Sequence, residues 1–349
     1  MMKHHNPRRA ALSFCLVLAA ALLAVRAEAA PDAPQNWVDG LWYEFERVMA
    51  GTWLDENHPE WLLNASDRPQ PTHLLNLGMP EVREHLFETV RGFMELPGFR
   101  VYRSDFNMDP LPHWRHHDAP DRQGITEMKY VERLYVFWDR IARTWPDSLR
   151  IECSSGGRRI DLEAVMRMHV HQKSDYWFDN EVDQASIWGL SQYLPNQVFM
   201  APVNRLDDYS FHSAMATSLC LGWIADAEGF DLDRARQLAD RYRRVRPLLV
   251  GSWYPLLPYT REEGQWMASQ YHRADLGEGM VLAFRHAESP EKTVRLSLCG
   301  LERGASYEVH GLVANTRLVA KGADLSAGFP VTIAQNRGSE LILYRELRD

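Results

Sequence analysis

Two aspartates stand where strand-like apolar runs end: Asp105 in Val101-Tyr102-Arg103-Ser104-Asp105-Phe106-Asn107, and Asp175 in Lys173-Ser174-Asp175-Tyr176-Trp177. Each has a basic residue two positions earlier, Arg103 or Lys173, and aromatic residues beside it. Between them lies Glu152-Cys153-Ser154-Ser155-Gly156-Gly157, a turn built almost wholly of small side chains. Two carboxyl groups at the carboxyl ends of successive parallel strands suit one chemistry well, the cleavage of a glycosidic bond by double displacement. One carboxylate attacks the anomeric carbon, and the other, protonated, donates to the departing oxygen. Arg103, on the same strand face as Asp105, would favour an ionised nucleophile. Tyr176 and Trp177 would desolvate Asp175 and favour its protonated form. The small residues of the turn would let a sugar ring approach the backbone closely.

The elements that must position these groups alternate in type. Apolar runs at 40–45, 99–104, 148–153 and 168–173 read as strands, and 209–214 and 219–224 as further ones. Amphipathic stretches at 80–96, 127–144, 162–168 and 232–246 read as helices; the second carries Leu134, Tyr135, Trp138 and Ile141 at helical spacing. This alternation predicts an α/β fold with a parallel sheet, and the series of chemistry-bearing strand ends predicts a barrel. About six strand–helix units are legible where a closed barrel needs eight. From residue 263 the pattern changes to short strands (265–272, 280–286, 293–298, 306–312 and 340–344) separated by Gly, Pro, Ser and Asn, without helical periodicity. The expected organisation is a leader over 1–30, an incomplete (β/α)8 barrel over 31–262, and a small antiparallel β-sandwich over 263–349.

The leader reading rests on Lys3, Arg8 and Arg9, an apolar stretch from Ala10 to Val25, and Ala27-Glu28-Ala29-Ala30, the layout of a secretory signal peptide. Its removal predicts an exported protein with no membrane attachment. It also takes away Lys3, Arg8, Arg9, Arg26 and Glu28, making the formal charge of -8 three units more negative. An acidic chain without a basic stripe is a poor partner for nucleic acid phosphates. Outside the leader, Cys153, Cys220 and Cys299 are too widely spaced for a disulfide framework or a zinc motif. His113, His116, His117, His169 and His171 raise the alternative of a metal site, but no acid stands at ligand spacing, so no metal is expected. The 12 Trp and 13 Tyr raise a second alternative, a carbohydrate-binding protein without turnover.

Four segments together carry a resemblance. Gly40-Leu41-Trp42-Tyr43-Glu44-Phe45-Glu46-Arg47-Val48, Tyr102 to Asn107, Glu152 to Leu162, and Lys173 to Trp177 look like glycoside hydrolase family 36, mainly α-galactosidases of the melibiase clan. The segments fall in family order, and the likeness extends from residue 38 to the C-terminus. It implies a (β/α)8 barrel that cleaves terminal α-D-galactosyl residues from oligosaccharides or glycoconjugates with retention of configuration, without metal or organic cofactor. It further implies Asp105 as nucleophile and Asp175 as general acid/base. Arg103 would take the place of a substrate-binding basic residue, usually Lys, Trp42 would stack at the sugar, and Cys153 and Gly156 would line the pocket. Asn107 and Arg159 complete the implied substrate-binding set. An α-N-acetylgalactosaminidase is the neighbouring specificity. The departures are equally definite. Neither the family's N-terminal β-sandwich nor its first two barrel strands with their Asp-Asp-Gly-Trp element can be found before Trp42. Phe45 replaces a usual Pro, and Gln70 stands where many relatives have an Arg. These departures imply a chain shortened on the N-terminal side of the barrel, or a wrongly placed start. Either implies sheet edges that another loop, a smaller closed arrangement or a homo-oligomer must cover, and leaves an impaired, sugar-binding remnant as the alternative function.

Overall fold

The computed structural model describes residues 39–348 except Trp177; the expected leader over 1–30 and the ring of Trp177 lie outside the described residues. Strand β1 (Asp39–Tyr43) opens the fold, and β2 (Arg47–Met49), β3 (Leu62–Leu63) and β4 (Thr72–Leu75) form a small antiparallel sheet after it. Five more strands continue the main sheet: β5 (Phe99–Ser104), β6 (Leu149–Glu152), β7 (Val170–Gln172), β8 (Phe199–Val203) and β9 (Ser218–Leu221). All are parallel and lie in the order β1-β5-β6-β7-β8-β9, each beside its successor. A singly wound parallel sheet with helical crossovers is the arrangement of a barrel wall. Among the described residues it has six strands, and β1 and β9 each have one neighbour.

The helices follow from their sequences. In Ile125–Thr144, Tyr130, Leu134, Phe137, Trp138 and Ile141 recur every three or four positions and are all buried. Four helices start at an aspartate whose carboxylate accepts a backbone N–H in the first turn. Asp161, Asp179, Asp207 and Asp231 cap Leu162–Arg167, Asn180–Leu190, Asp208–Met215 and Leu232–Val245. The third of these corrects the expectation of a strand over 209–214. Tyr209 and Phe211 alternate like strand residues, but Asp207 accepts from Ser210 N at 2.9 Å and turns the segment into a helix buried on all sides.

The second part is a six-stranded antiparallel sheet, ordered β10-β11-β12-β17-β14-β15, with a two-stranded sheet, β13-β16, on one face. Its strands are β10 (Ser252–Pro255), β11 (Trp266–Arg273), β12 (Glu278–Arg285), β13 (Thr293–Leu296), β14 (Ser306–Gly311), β15 (Thr316–Lys321), β16 (Phe329–Thr332) and β17 (Gly338–Leu347). Strand β10, which precedes the expected boundary at 263, already belongs to this sheet: Trp253 and Tyr254 pair with Tyr271 and Gln270 of β11. A helix, Gly322–Gly328, interrupts what reads as pure β sequence.

Period-2 alternation sends the two faces of β12 to different cores. Met280, Leu282 and Phe284 pack with Phe211, Met215 and Leu238 from the barrel helices. Val281 and Ala283 pack with Leu296, Val331 and Ile333 inside the sandwich. Leu282→Ala should therefore lower the unfolding free energy by about 2–5 kcal/mol, measured by urea denaturation. A loss below about 1 kcal/mol would mean that the two parts do not share this core.

Candidate active site

Parallel pairing aligns the strand ends. Tyr43 lies beside Ser104, Ser104 beside Glu152, and Glu152 beside His171. The residues just beyond those ends surround one cavity of about 490 Å³, lined by Trp42, Glu44, Asp105, Asn107, Cys153, Gln172 and Asp175. The structure thus brings together five of the eight site residues expected from sequence: Trp42, Asp105, Asn107, Cys153 and Asp175. Glu44 and Gln172 were not expected. Both occupy the position at or just after a strand end, the one signal that marked them.

Asp105 is buried and fully aimed. Its own N–H donates to the Tyr43 carbonyl at 2.7 Å, which ties the strand end to β1. Its Oδ1 accepts from Phe106 N at 2.7 Å and its Oδ2 from Asn107 Nδ2 at 2.7 Å. Asn107 is fixed in turn by Ser155 Oγ, which donates to its Oδ1 at 3.2 Å, and by Glu44, which accepts from its N–H at 3.1 Å. Cys153 is 2% exposed, and burial, followed by the adjacent Asp105 carboxylate, pushes its thiol up to about 12. It lines the cavity as a thiol, not as a nucleophilic thiolate.

Arg103 does not pair with Asp105. Its guanidinium lies over the Trp42 ring at 3.8 Å, and Nη2 donates to Gln172 Oε1 at 2.6 Å. The Gln172 amide passes the contact on, Nε2 donating to Asp175 Oδ1 at 2.7 Å. Asp175 itself is exposed, as is Tyr176, so the expected aromatic seal is not formed by Tyr176. Lys173 is committed elsewhere: its ammonium is buried against Asp183, the partner that helix Asn180–Leu190 supplies. A second cleft, about 530 Å³, opens on the other side of Asp175 between Ser155, Arg158 and Tyr176.

Gly156 and Arg159, expected to meet substrate, have different places. Gly156 sits at φ +79, and a Cβ there would stand 2.9 Å from Asp175 N. The missing side chain makes room for the Asp175 backbone rather than for a sugar ring, and Gly157 does the same beneath the Lys173 carbonyl. The Arg159 guanidinium lies under the cavity floor. It donates to Glu46 Oε1 and Oε2 at 2.7 and 2.8 Å, lies 3.5 Å from Glu152 Oε1, and rests over the Phe106 ring. Tyr130 OH donates to the same Glu46, at 2.6 Å. Glu152 accepts from Ser104 Oγ and, at 2.6 Å, from Ser154 Oγ.

The histidines do not converge. His116 is beside Asp67, His117 accepts from Asn64 N and His169 from Arg150 N, while His171 is buried, which lowers its pKa to about 4. Among the described residues no three His, Cys, Asp or Glu side chains could hold a metal ion.

A six-stranded β/α wall with two carboxyl groups facing one cavity at its strand ends, followed by a β-sandwich, is the architecture of barrel glycoside hydrolases. The melibiase family model matches residues 33–254, and the chain belongs to that family. The α-galactosidase AgaA of Geobacillus stearothermophilus is 27% identical over 298 residues, 78% of this chain and 39% of the relative. α-Galactosidase C of Emericella nidulans is 25% identical over 325 residues, 87% of this chain and 40% of the relative. A crystal structure of a GH36 α-galactosidase AgaA variant with 1-deoxygalactonojirimycin superposes with a TM-score of 0.77 at 26% identity, over 88% of this chain and 44% of that one. The chain therefore spans about two fifths of the length of these relatives.

Glu152 makes the floor of the site sensitive to pH. Complete burial raises its pKa from 4.5 to about 7, because the more distant Arg159 and the two hydroxyls offset only part of the desolvation. A carboxyl group with a raised folded pKa costs the fold nothing below its unfolded value. Its penalty grows between pH 4.5 and 7 and is complete above. Glu152→Gln, which keeps the shape and removes the charge, should gain stability relative to the parent by about 3 kcal/mol on going from pH 4.5 to above 7. Urea denaturation at both pH values checks this; a difference that does not change with pH would remove Glu152 as the titrating group.

Proposed function

We propose that the chain hydrolyses α-galactosides with retention of configuration. The reading rests on one observation above all: Asp105 and Asp175, carried by different strands, line the same cavity. In the first step Asp105 attacks the anomeric carbon and forms a glycosyl ester as the C1–O bond to the leaving group breaks. The Asp175 proton passes to the departing oxygen, which leaves as an alcohol. In the second step the Asp175 carboxylate takes a proton from water, the water oxygen attacks C1, and Asp105 departs as carboxylate. Asn107 and Phe106 N hold the attacking carboxylate, and Trp42 and Cys153 give the sugar its apolar wall. The relatives named α-galactosidase support galactose as the glycone, and the relative bound to raffinose supports an oligosaccharide substrate. The basic start and apolar run of residues 1–30 support export of the mature protein.

A second reading, sugar binding without turnover, is favoured by β1, the strand that carries Trp42, having one neighbour among the described residues. Two measurements separate the readings. Release of p-nitrophenol from p-nitrophenyl α-galactoside, with α-galactose as the first product by NMR, is expected of the full chain. Asp105→Asn should reduce the rate at least about 1,000-fold. Calorimetric binding of galactose with no turnover above the Asp105→Asn control would establish the second reading instead. A preference for the N-acetylgalactosaminide would assign the neighbouring specificity.

A further inference from the structure

The polar chain that crosses the cavity wall, Arg103 to Gln172 to Asp175, reaches only one oxygen of the acid. Arg103 Nη2 donates to Gln172 Oε1 at 2.6 Å. A guanidinium has no acceptor, so this contact fixes which end of the Gln172 amide is oxygen. The NH₂ group must then face Asp175, where Nε2 donates to Oδ1 at 2.7 Å. Gln172 is 3% exposed and cannot swing into water to escape this role. The guanidinium that sets the amide is held in its turn by the face of Trp42, at 3.8 Å.

We propose that Gln172 is a positioning residue for the general acid, locked by Arg103, and that it favours Oδ2 of Asp175 as the seat of the catalytic proton. An N–H donor on Oδ1 favours the carbonyl form of that oxygen, because a carbonyl oxygen accepts a hydrogen bond more strongly than a carboxylic hydroxyl oxygen does. The proton transferred to the leaving group therefore departs from Oδ2, and that oxygen takes up the proton from water in the second step. Gln172 gains and loses no proton. This matters for Asp175 in particular, because the side chain is exposed and the hydrogen bond from Gln172 gives it a fixed direction. The proposal rests on the assignment of Asp175 as the acid.

The test compares kcat/KM on methyl α-galactoside, whose leaving group needs the acid, with kcat/KM on p-nitrophenyl α-galactoside, whose leaving group depends on it far less. Gln172→Met keeps the length and removes the amide; Arg103→Met keeps the amide and removes its lock. Gln172→Met should lose about 10- to 100-fold on the methyl glycoside, and its loss there should exceed its loss on the aryl glycoside about tenfold or more. Arg103→Met should show the same bias, and the double variant little more than Gln172→Met alone. Equal losses on the two substrates, or a fully additive double variant, would overturn the proposal and leave both side chains as ordinary packing. No turnover of either substrate by the unaltered chain would overturn the hydrolase reading itself, and this proposal with it.

Discussion

The guanidinium of Arg159 sits between two buried carboxyl groups, and the geometry of the site depends on that contact. Glu46 comes from the turn after β1, Glu152 from the end of β6, and Tyr130, which also binds Glu46, from helix Ile125–Thr144. Three elements far apart in sequence are thereby fixed at the end of the sheet where the chemistry is placed. Removing Arg159 or Glu46, the bidentate pair of this cluster, should cost about 3–5 kcal/mol, because a charge is left without compensation. The cluster also reaches the cavity floor directly. Glu152 holds the hydroxyl of Ser104, the residue before Asp105, and Arg159 supports the ring of Phe106, the residue after it. Asp105 is therefore positioned from beneath by charges that do not touch the cavity.

The two aspartates are held in different ways. Asp105 is buried, and both of its oxygens accept hydrogen bonds. Asp175 is exposed, its Oδ1 accepts from Gln172, and its backbone is placed by close approach to Gly156. An attacking carboxylate needs an invariant direction, whereas a proton donor must also exchange its proton with water between steps. The contrast in their surroundings suits that division, and it arises from backbone shape: a strand end tied to β1 on one side, a loop folded over a glycine on the other.

Much of this was legible in the chain, for identifiable reasons. Asp105 and Asp175 announced themselves because strand β5 was bounded as expected and β7 nearly so, and the residue after a barrel strand is where chemistry is carried. Arg159 was misplaced because a basic residue in a glycine-rich turn can face either the ligand or the protein. The deciding partner, Glu46, lies more than a hundred residues earlier and contributes nothing local. Gln172 was passed over because an uncharged amide at a buried strand end carries no charge pattern. The helix after Asp207 was missed because buried elements lack amphipathic contrast, so that only the capping aspartate distinguishes it from a strand. The same holds for β8, where all five residues are buried and no alternation survives.

The site lies at a seam between two hydrophobic cores. Tyr102 and Phe106, on either side of Asp105, belong to the core built on β1, β5 and helices Pro80–Met94 and Ile125–Thr144. Ile187, in the helix that follows Asp175, belongs to the core shared by the later barrel helices and the β-sandwich. The two carboxyl groups thus stand beside different cores of one parallel sheet, and contacts that cross the seam join their loops. Those contacts include the parallel pairing of β6 with β7, the close approach of Gly156 to Asp175, and the hydrogen bond from Arg103 to Gln172. The first two are backbone contacts between the loops; the third joins side chains and continues to Asp175 through the Gln172 amide. Double displacement requires both spacing and direction, since a carboxyl group within reach of the glycosidic oxygen but turned from it transfers no proton. The β-sandwich shares the second core with Ile187 and the later barrel helices, so the helix that follows the Asp175 loop packs in a core completed by Met267, Leu282 and Leu341.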